Sequence, residues 1–326
     1  MNIDAVITWV NGDDPKHRAK RMKYGNQSIH ESEDVAGSTR FNSLGEIFYC
    51  IASLNRFAPW LHKIYIVTDE QNPCVESFLR THFPEGYIPI EIVDHTTIFR
   101  GYEQYLPTFN SISIETMTWR IPGLSEHYIE LNDDFILSSP ATPEDFFLSD
   151  GRVVCYASPY NMPWTKLTRM LKPSKNGRQR VTFKGNMYNA AFMMGRRMNF
   201  LKFDHTPRAL RKSYYERFFS EFPETLTHNI TFRFRHADQY SPQEVMFLLL
   251  LKEGKLYLQS AKGRLFFLQP KSDTGYVKKK MQSLTKMRDC KFCCFNSLDK
   301  ATPEEREEII DWIETKLSIH KTKCRM

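Results

Sequence analysis

Long hydrophobic runs are absent from this sequence of 326 residues. The longest apolar stretch, residues 245–251, is far shorter than the roughly 20 residues of a membrane-spanning helix, which excludes such a helix. Residues 1–4 lack the basic start and following apolar stretch that mark a secretory leader. No internal repeat and no long low-complexity stretch occurs either, so we expect a globular, cytosolic protein.

A recognisable nucleic-acid-binding motif is also absent, although the chain is basic. Lys and Arg number 45 against 38 Asp and Glu, which gives a formal net charge of +7. This excess favours an anionic partner, such as a phosphate ester, nucleic acid or an anionic membrane surface. The basic residues concentrate at 196–217 and 278–291. Because no motif supports nucleic-acid binding, we predict no nucleic-acid partner.

Cysteine is scarce and odd in number, since the chain has seven. This favours the reduced thiols of a cytosolic protein over a disulfide framework. Three of them lie in segments typical of a core: Cys50, Cys74 and Cys155. The candidates for a zinc knuckle lie near the C-terminus: Cys290, Cys293, Cys294, His320 and Cys324. Only one half of this set has the usual spacing of zinc ligands, so ordinary buried thiols are the alternative.

Apolar runs that end in turn-forming residues alternate with segments of helical periodicity. The predicted strands are residues 3–10, 64–68, 88–93, 127–131 and 153–157. The predicted helices are residues 44–57, 75–82, 111–120, 207–221, 242–253 and 303–317. This alternation predicts an α/β fold with a mostly parallel sheet and helices on both faces.

The predicted division of the chain is a large α/β domain followed by a short basic segment. We expect the domain over residues 1–270 and a helical C-terminal portion over residues 271–326. Residues 172–180 are polar and contain Pro173 and Gly177, which predicts a mobile loop or a subdomain boundary.

Two acidic clusters follow predicted strands. Asn11, Gly12 and Asp13 come after the first strand, and Asp133 and Asp134 come after residues 127–131. Ligands of an open α/β sheet bind at the carboxyl ends of its strands, and Mg²⁺ or Mn²⁺ prefers carboxylate oxygens. The clusters therefore predict a metal-assisted phosphate site, and turn capping by Asn and Asp is the alternative.

Histidine and arginine side chains from a later part of the chain can complete such a site. His205 precedes a predicted helix, while Arg233, Arg235 and His236 lie together. Histidine can accept a proton from an attacking hydroxyl, and arginine binds phosphate through two N–H groups. Each of these residues can equally be an ordinary surface residue. A functional role for them therefore depends on the acidic clusters forming a phosphate site.

Four blocks of the sequence resemble those of a known family. The first is ITWVNGDDP at residues 7–15. The second is the longest and runs over residues 40–134, with APW at 58–60, KIYIVTD at 63–69, LPTFN at 106–110 and IPGLS at 121–125. The third comprises HTP at 205–207, FRH at 234–236 and the helix from 242, and a fainter fourth is KFCCFN at 291–296. Through these blocks the chain resembles the stealth family of sugar-1-phosphate transferases, which includes bacterial capsule and exopolysaccharide phosphotransferases. It departs at Ser297, where relatives carry an acidic residue after the asparagine.

The resemblance implies a fold like that of nucleotide-diphosphosugar transferases and a specific reaction. A hexose-1-phosphate or N-acetylhexosamine-1-phosphate would pass from a nucleotide sugar, such as UDP-GlcNAc, to a hydroxyl of a polysaccharide or oligosaccharide. A phosphodiester would form and a nucleoside monophosphate would leave. The resemblance also implies a bacterial cytoplasmic enzyme of capsule or cell-surface polysaccharide synthesis, in peripheral contact with the inner face of the plasma membrane.

The resemblance further assigns roles to individual residues. Those expected in the nucleotide-sugar pocket are Trp9, Val10, Asn11, Gly12, Arg40, Asn110 and Asn132. Those expected to bind Mg²⁺ or Mn²⁺ are Asp133 and Asp134. Those expected in catalysis are Asp13 as a contact to donor or metal, His205 or His236 as proton acceptor, and Arg235 as phosphate ligand.

Two rival functions use the same residues. A conventional metal-dependent glycosyltransferase would release a nucleoside diphosphate and leave no phosphorus in the product. A non-catalytic, basic glycan- or nucleic-acid-binding protein would bind its ligand equally well without metal.

Overall fold

The structure, a computed structural model, describes residues 1–25, 45–171, 181–271 and 275–319. Arg40, the predicted boundary at 172–180, and His320 and Cys324 of the predicted zinc knuckle lie outside these residues. The strands are β1 Ile3–Thr8, β2 Lys63–Thr68, β3 Ile90–Asp94, β4 His127–Asn132, β5 Phe135–Leu137, β6 Val153–Asn161, β7 Asn199–Phe203, β8 Arg208–Arg211, β9 Leu256–Gln259, β10 Leu265–Leu268 and β11 Phe292–Phe295. The helices are α1 Pro15–Gly25, α2 Glu46–Phe57, α3 Val75–His82, α4 His95–Ile98, α5 Ser111–Glu115, α6 Met162–Leu171, α7 Phe183–Met193, α8 Lys212–Glu221, α9 Pro223–Ile230, α10 Pro242–Lys252, α11 Tyr276–Thr285 and α12 Pro303–Leu317.

A five-stranded sheet in the order β3-β2-β1-β4-β8 forms the centre of the fold. Its first four strands are parallel, and β8 runs antiparallel to β4. Strands β1, β2 and β4 are mostly buried, as in parallel sheets covered by helices, whereas the outer strand β3 is partly exposed. The prediction of an α/β fold with a mostly parallel sheet is therefore confirmed.

Two smaller sheets extend the fold beyond the central one. In the first, the order is β10-β11-β5, and in the second it is β7-β6-β9. Strand β11 pairs with β5 in antiparallel register, so the segment after residue 270 contributes a strand to the fold as well as helices. That strand was not expected, and the domain boundary at residue 270 stays a prediction.

The C-terminal helix α12 begins where its sequence predicts. Thr302 Oγ1 accepts a hydrogen bond from the Glu305 backbone N–H, and the Glu305 carboxylate accepts from the Thr302 N–H, which is a capping box. The helix contacts α2, since Tyr49 Oη donates to Glu314 Oε1 at 2.9 Å. No helix in the described part of the chain is both long enough and apolar enough to cross a bilayer.

Two predictions of local structure are wrong. The helix predicted over residues 207–221 begins only at Lys212, because Arg208–Arg211 form strand β8. The helix predicted over 111–120 ends at Glu115 and is followed by a single 3₁₀ turn, Thr118–Arg120. Among the cysteines expected in the core, Cys74 is exposed.

Candidate active site

The two acidic turns leave neighbouring strands of the central sheet at the same edge. Strands β1 and β4 are parallel, and Thr8 is in register with Asn132. The turn after β1 is folded on itself, because the Asn11 N–H donates to Gln71 Oε1 and Asn11 Oδ1 accepts from the Asp13 N–H. Asp13 is exposed and its charge acts on Arg21 of α1. The expected role of Asp13 as a contact to donor or metal stays a prediction.

The turn also fixes the neighbouring residues of the predicted nucleotide-sugar pocket. Trp9 is 6% exposed and belongs to the hydrophobic core. Val10 packs against the stacked rings of Phe109 and Phe234, and Gly12 is buried. Trp9 is therefore a packing residue beneath this turn, and its expected role in shaping the pocket stays a prediction.

The carboxylates that follow β4 lie in an electrostatically unfavourable position. Asp133 and Asp134 are half-buried by surface exposure. Burial raises the pKa of Asp133 well above its usual range, and the charges of Glu46 and Asp134 raise it further. Burial also raises the pKa of Asp134. Desolvation and mutual repulsion both favour a positive charge between these groups.

Residues from the C-terminal segment orient Asp134. Asn296 Nδ2 donates to Asp134 Oδ2 at 3.0 Å, and the Phe295 N–H donates to the Asp134 backbone oxygen at 3.0 Å. The Cys294 thiol donates to the same Oδ2 at 3.6 Å. The faint fourth block of the sequence therefore reaches the acidic pair, although Ser297 departs from the family pattern.

The acidic pair fits a hard divalent cation. Asp134 Oδ1 is buried and has no hydrogen-bond partner in the described structure, which leaves one carboxylate oxygen available as a ligand. The described residues contain no group of three or more His, Cys, Asp or Glu side chains arranged around a metal position. Two carboxylates with water and substrate phosphates as further ligands match the usual environment of Mg²⁺. Asn132, at the end of β4, is half-buried and its backbone oxygen accepts from the Cys50 thiol.

Strand β8 places a buried cation near the carboxyl end of β4. Arg208 is 5% exposed and is in register with Glu130 of β4, two residues before Asn132. Its Nη1 lies 3.8 Å from Glu130 Oε2, beyond hydrogen-bond distance. The guanidinium lies over the rings of Phe203 and Phe183, at 5.3 and 5.7 Å from their centroids. Sequence reasoning missed Arg208 because it placed this residue in a helix.

A buried polar network surrounds Glu130. Gln243 Nε2 donates to Glu130 Oε2 at 2.6 Å and to Glu115 Oε2 at 2.8 Å, and Thr118 Oγ1 donates to Glu130 Oε1 at 3.0 Å. Burial, together with the charge of Glu115, raises the pKa of Glu130 to about 7, although the charge of Arg208 opposes the rise. Near neutral pH this carboxyl is therefore not a full negative charge.

His205 lies in the connection between β7 and β8, three residues before Arg208. Its ring stacks on Phe267 and Phe183, with centroids 4.6 and 5.6 Å apart. Burial and the charges of Arg208 and Lys202 lower the pKa of His205 to about 4. The imidazole is therefore neutral at pH 7 and can accept a proton.

Arg235 is held in an irregular loop between α9 and α10. Its Nη2 donates to Ser111 Oγ at 2.6 Å, and burial and the charge of Arg208 lower its pKa. Arg233, by contrast, donates to the backbone oxygens of Pro107 and Gln104 and ties the loop to residues 104–107. The loop thus ties Arg235 to α5 through Ser111 and is anchored to residues 104–107 by Arg233.

The structure gives Asn110 and His236 different surroundings. Asn110 is fully buried, and its Nδ2 donates to the backbone oxygens of Phe232 and Phe234 and to Gln239 Oε1. Its amide therefore fixes the loop that carries Arg235, and the expected contacts of Asn110 and His236 with the substrate stay predictions. His236 is exposed and stacks on Phe232 with centroids 4.4 Å apart.

The structure therefore brings some of the predicted residues together and separates others. Arg208 and His205 lie on the ring of Phe183, at 5.7 and 5.6 Å from its centroid, and Arg208 is in register with Glu130 of β4, the strand that Asp133 and Asp134 follow. Glu115, which sequence reasoning also missed, acts on Arg235 in the same region. The zinc prediction stays open, since Cys290 and Cys293 lie with their sulfurs 3.7 Å apart but the other two ligands are outside the described residues.

Comparison with protein-family profiles gives two matches. The profile described as Stealth protein CR1, conserved region 1, matches residues 1–29, and the one described as Stealth protein CR2, conserved region 2, matches residues 40–154. Together they cover both acidic turns but none of the later residues, His205, Arg208 and Arg235.

Comparison with curated proteins extends the similarity further along the chain. An exopolysaccharide phosphotransferase of Streptomyces coelicolor is 31% identical over 312 residues, which cover 95% of this chain and 54% of that protein. A second exopolysaccharide phosphotransferase of the same organism is 35% identical over 241 residues, 73% of this chain and 38% of that protein. The chain thus spans about half, or less, of the length of these relatives.

Solved structures resemble the chain more distantly. The crystal structure of the galactosyltransferase LgtC, in complex with donor and acceptor sugar analogues, is 11% identical, with a TM-score of 0.44 over 96% of each chain. This similarity is too low to identify the fold.

Proposed function

Because this chain belongs to the stealth family, we propose that it transfers a hexose-1-phosphate or an N-acetylhexosamine-1-phosphate from a nucleotide diphosphosugar to a glycan hydroxyl. The products are a phosphodiester and a nucleoside monophosphate. The donor is UDP-linked, with UDP-GlcNAc as the first candidate, and the acceptor is a capsular or extracellular polysaccharide or its precursor. The names of the curated relatives support a phosphotransferase over a glycosyltransferase that releases a nucleoside diphosphate.

In this reaction the acceptor oxygen forms a bond to the phosphorus that carries the sugar. The bond between that phosphorus and the bridging oxygen of the diphosphate breaks, and the nucleoside monophosphate leaves with this oxygen. The proton of the attacking hydroxyl passes to His205, whose ring is neutral at pH 7 because its pKa is about 4. Arg235, fixed by Ser111, binds a phosphate oxygen.

Asp133 and Asp134 would hold Mg²⁺ or Mn²⁺, and Asn296 keeps Asp134 in position. A divalent cation bound there supplies neutralisation of the charge on the diphosphate oxygens. The unpartnered Oδ1 of Asp134 and the raised pKa of both carboxyls support this assignment.

The proposal depends above all on one observation. His205 and Arg208 lie on the same ring, that of Phe183, at 5.6 and 5.7 Å from its centroid, and Arg208 is in register with Glu130 of the strand that leads to Asp133 and Asp134. A proton acceptor, carboxylates and cations in one place are the groups that transfer at phosphorus requires, because the protein must position the reactants and neutralise charge.

We further propose that the protein acts in the cytoplasm at the inner face of a bacterial plasma membrane. The basic residues at 278–291 support contact with anionic lipid or with a charged polymer.

The identity of the products tests the proposed reaction. The chain is incubated with Mg²⁺, a glycan acceptor and each of a set of nucleotide sugars, and the released nucleotide is separated by chromatography. We expect UMP from a UDP-sugar and a phosphodiester resonance in the ³¹P NMR spectrum of the product. Release of UDP with no phosphorus in the product would instead establish the conventional glycosyltransferase.

A further inference from the structure

Arg208 is a buried cation whose hydrogen-bonding capacity is not used. Its Nε and Nη1 are both buried and have no hydrogen-bond partner in the described structure. A guanidinium carries five N–H donors, and leaving charged donors unpaired away from water is strongly unfavourable. The nearest carboxylate, Glu130, already accepts from Gln243 and Thr118 and lies 3.8 Å from Nη1.

The charge of Arg208 is also not balanced by its surroundings. Burial raises the pKa of Glu130 to about 7, so at neutral pH this carboxyl is a partial charge only. A second guanidinium, that of Arg235, donates to Ser111 of α5, and the last residue of this helix, Glu115, accepts from the same Gln243 amide that donates to Glu130. The charge of Arg208 lowers the pKa of Arg235. Two such cations in one half-buried region are stable together when an anion with several oxygens lies between them.

The position of Arg208 indicates which anion this is. His205 and Arg208 lie on the same Phe183 ring, at 5.6 and 5.7 Å from its centroid, and Asp134 follows the end of the neighbouring strand β4. A proton acceptor must lie within hydrogen-bond reach of the attacking oxygen, and that oxygen becomes bonded to the phosphorus that is transferred. The phosphoryl group bound next to His205 is therefore the transferred one.

We propose that Arg208 is a catalytic residue that binds the oxygens of the transferred phosphoryl group beside His205, with Arg235 as the second cation. This inference rests on the proposed function and adds to it a phosphate ligand that lies outside the residues matched by the family profiles. Arginine suits this role because its planar fork matches phosphate geometry, whereas lysine offers a single charge.

Substitution of Arg208 by Met and by Lys tests the proposal, with Arg211→Met as the matched control. Arg211 lies at the other end of β8 and pairs with Glu126 at 3.0 Å. We expect Arg208→Met to lower kcat/KM for nucleoside monophosphate release by about a hundredfold or more, and Arg208→Lys to restore part of the loss. Arg211→Met is expected to change kcat/KM by less than about threefold. Equal rates in Arg208→Met and the wild type would overturn the proposal.

A double variant separates phosphate binding from a purely structural pairing with Glu130. The double variant Arg208→Met/Glu130→Gln lacks both charges. If Arg208 only pairs with Glu130, the stability and the turnover lost in Arg208→Met should both recover in this double variant. We expect the urea midpoint to recover while turnover stays low. Recovery of turnover in the double variant would show that Arg208 serves only to neutralise Glu130.

Binding of inorganic pyrophosphate distinguishes failure of this inference from failure of the proposed function. Isothermal titration calorimetry is carried out on the wild type, Arg208→Met and Arg211→Met. We expect the wild type and Arg211→Met to bind pyrophosphate and Arg208→Met to bind it at least tenfold more weakly. If no nucleotide sugar is turned over but pyrophosphate binds in this pattern, the proposed reaction is wrong and the proposed anion site at Arg208 is supported. If turnover occurs but pyrophosphate binds Arg208→Met as tightly as the wild type, the anion site is wrong and the reaction stands.

Discussion

Glu130 is expected to make the stability of the protein fall as the pH rises from about 4.5 to 7. Its carboxyl is 1% exposed, and its pKa is raised from 4.5 to about 7 by burial. In this pH range the folded protein keeps the proton while the unfolded chain releases it. Because the unfolded state binds fewer protons, the free energy of unfolding decreases as the pH increases, and the contribution is present in full below pH 4.5.

The size of the effect follows from the shift in pKa. A difference between 4.5 and about 7, at about 1.4 kcal/mol for each pH unit, corresponds to roughly 3 kcal/mol of unfolding free energy. Glu130→Gln removes the titration and keeps the shape of the side chain. A glutamine can accept from Gln243 through its oxygen and donate to the Thr118 hydroxyl through its nitrogen, so the network stays satisfied.

Urea unfolding, followed by circular dichroism at pH 5 and at pH 8, measures the difference. Other carboxyls also titrate, so the quantity of interest is the change in unfolding free energy of the wild type minus that of Glu130→Gln. We expect the variant to gain roughly 3 kcal/mol relative to the wild type between the two pH values. The same pH dependence in both proteins would refute the assignment of a raised pKa to Glu130.

Three further predictions, made with four variants, test the other parts of the site. His205→Gln should lower turnover, measured by nucleotide release, by at least about a hundredfold, whereas His236→Gln should lower it by less than about threefold. The reason is that the His205 ring lies beside Arg208 and the His236 ring does not. Similar losses in the two variants would contradict the role of His205 as proton acceptor. Asn110→Ala should lower the free energy of unfolding by roughly 3 kcal/mol in urea, because it removes three hydrogen bonds to the 232–239 loop and takes from the Phe234 backbone oxygen its side-chain donor; a loss below about 1 kcal/mol would contradict the anchoring role. Asn296→Ala should weaken Mn²⁺ binding about tenfold in an electron paramagnetic resonance titration, because Asp134 loses its hydrogen-bond donor; unchanged binding would place the metal elsewhere.

Elements specified by local signals were predictable from the sequence. Helices α3 and α12 have the predicted bounds, because apolar periodicity marks both helices and a capping box marks the start of α12. The strands at 63–68 and 127–132 were recognisable as buried apolar runs. Strand β8 was not, since Arg208–Arg211 has helix-forming residues and becomes a strand only by pairing with β4, about 80 residues earlier in the chain.

Among the site residues, too, those positioned by local sequence signals were predictable, and those positioned by tertiary contacts were not. The position of Asp133 and Asp134 after a strand predicts that they lie at the sheet edge, because strand direction alone determines it. Which residues of FRH at 234–236 face the site depends on an irregular loop held by Asn110 and Gln239. No periodicity describes such a loop, so Arg235 and His236 could not be told apart beforehand.

The antiparallel pairing of β8 with β4 has a consequence for the order in which the site is assembled. The carboxylates belong to the first half of the chain, whereas His205, Arg208 and Arg235 all belong to the second. A nascent or truncated chain that stops before residue 205 has the acidic pair after β4 but none of these three side chains. The pair therefore gains the positive charge of Arg208 only after β8 has been synthesised and has paired with β4.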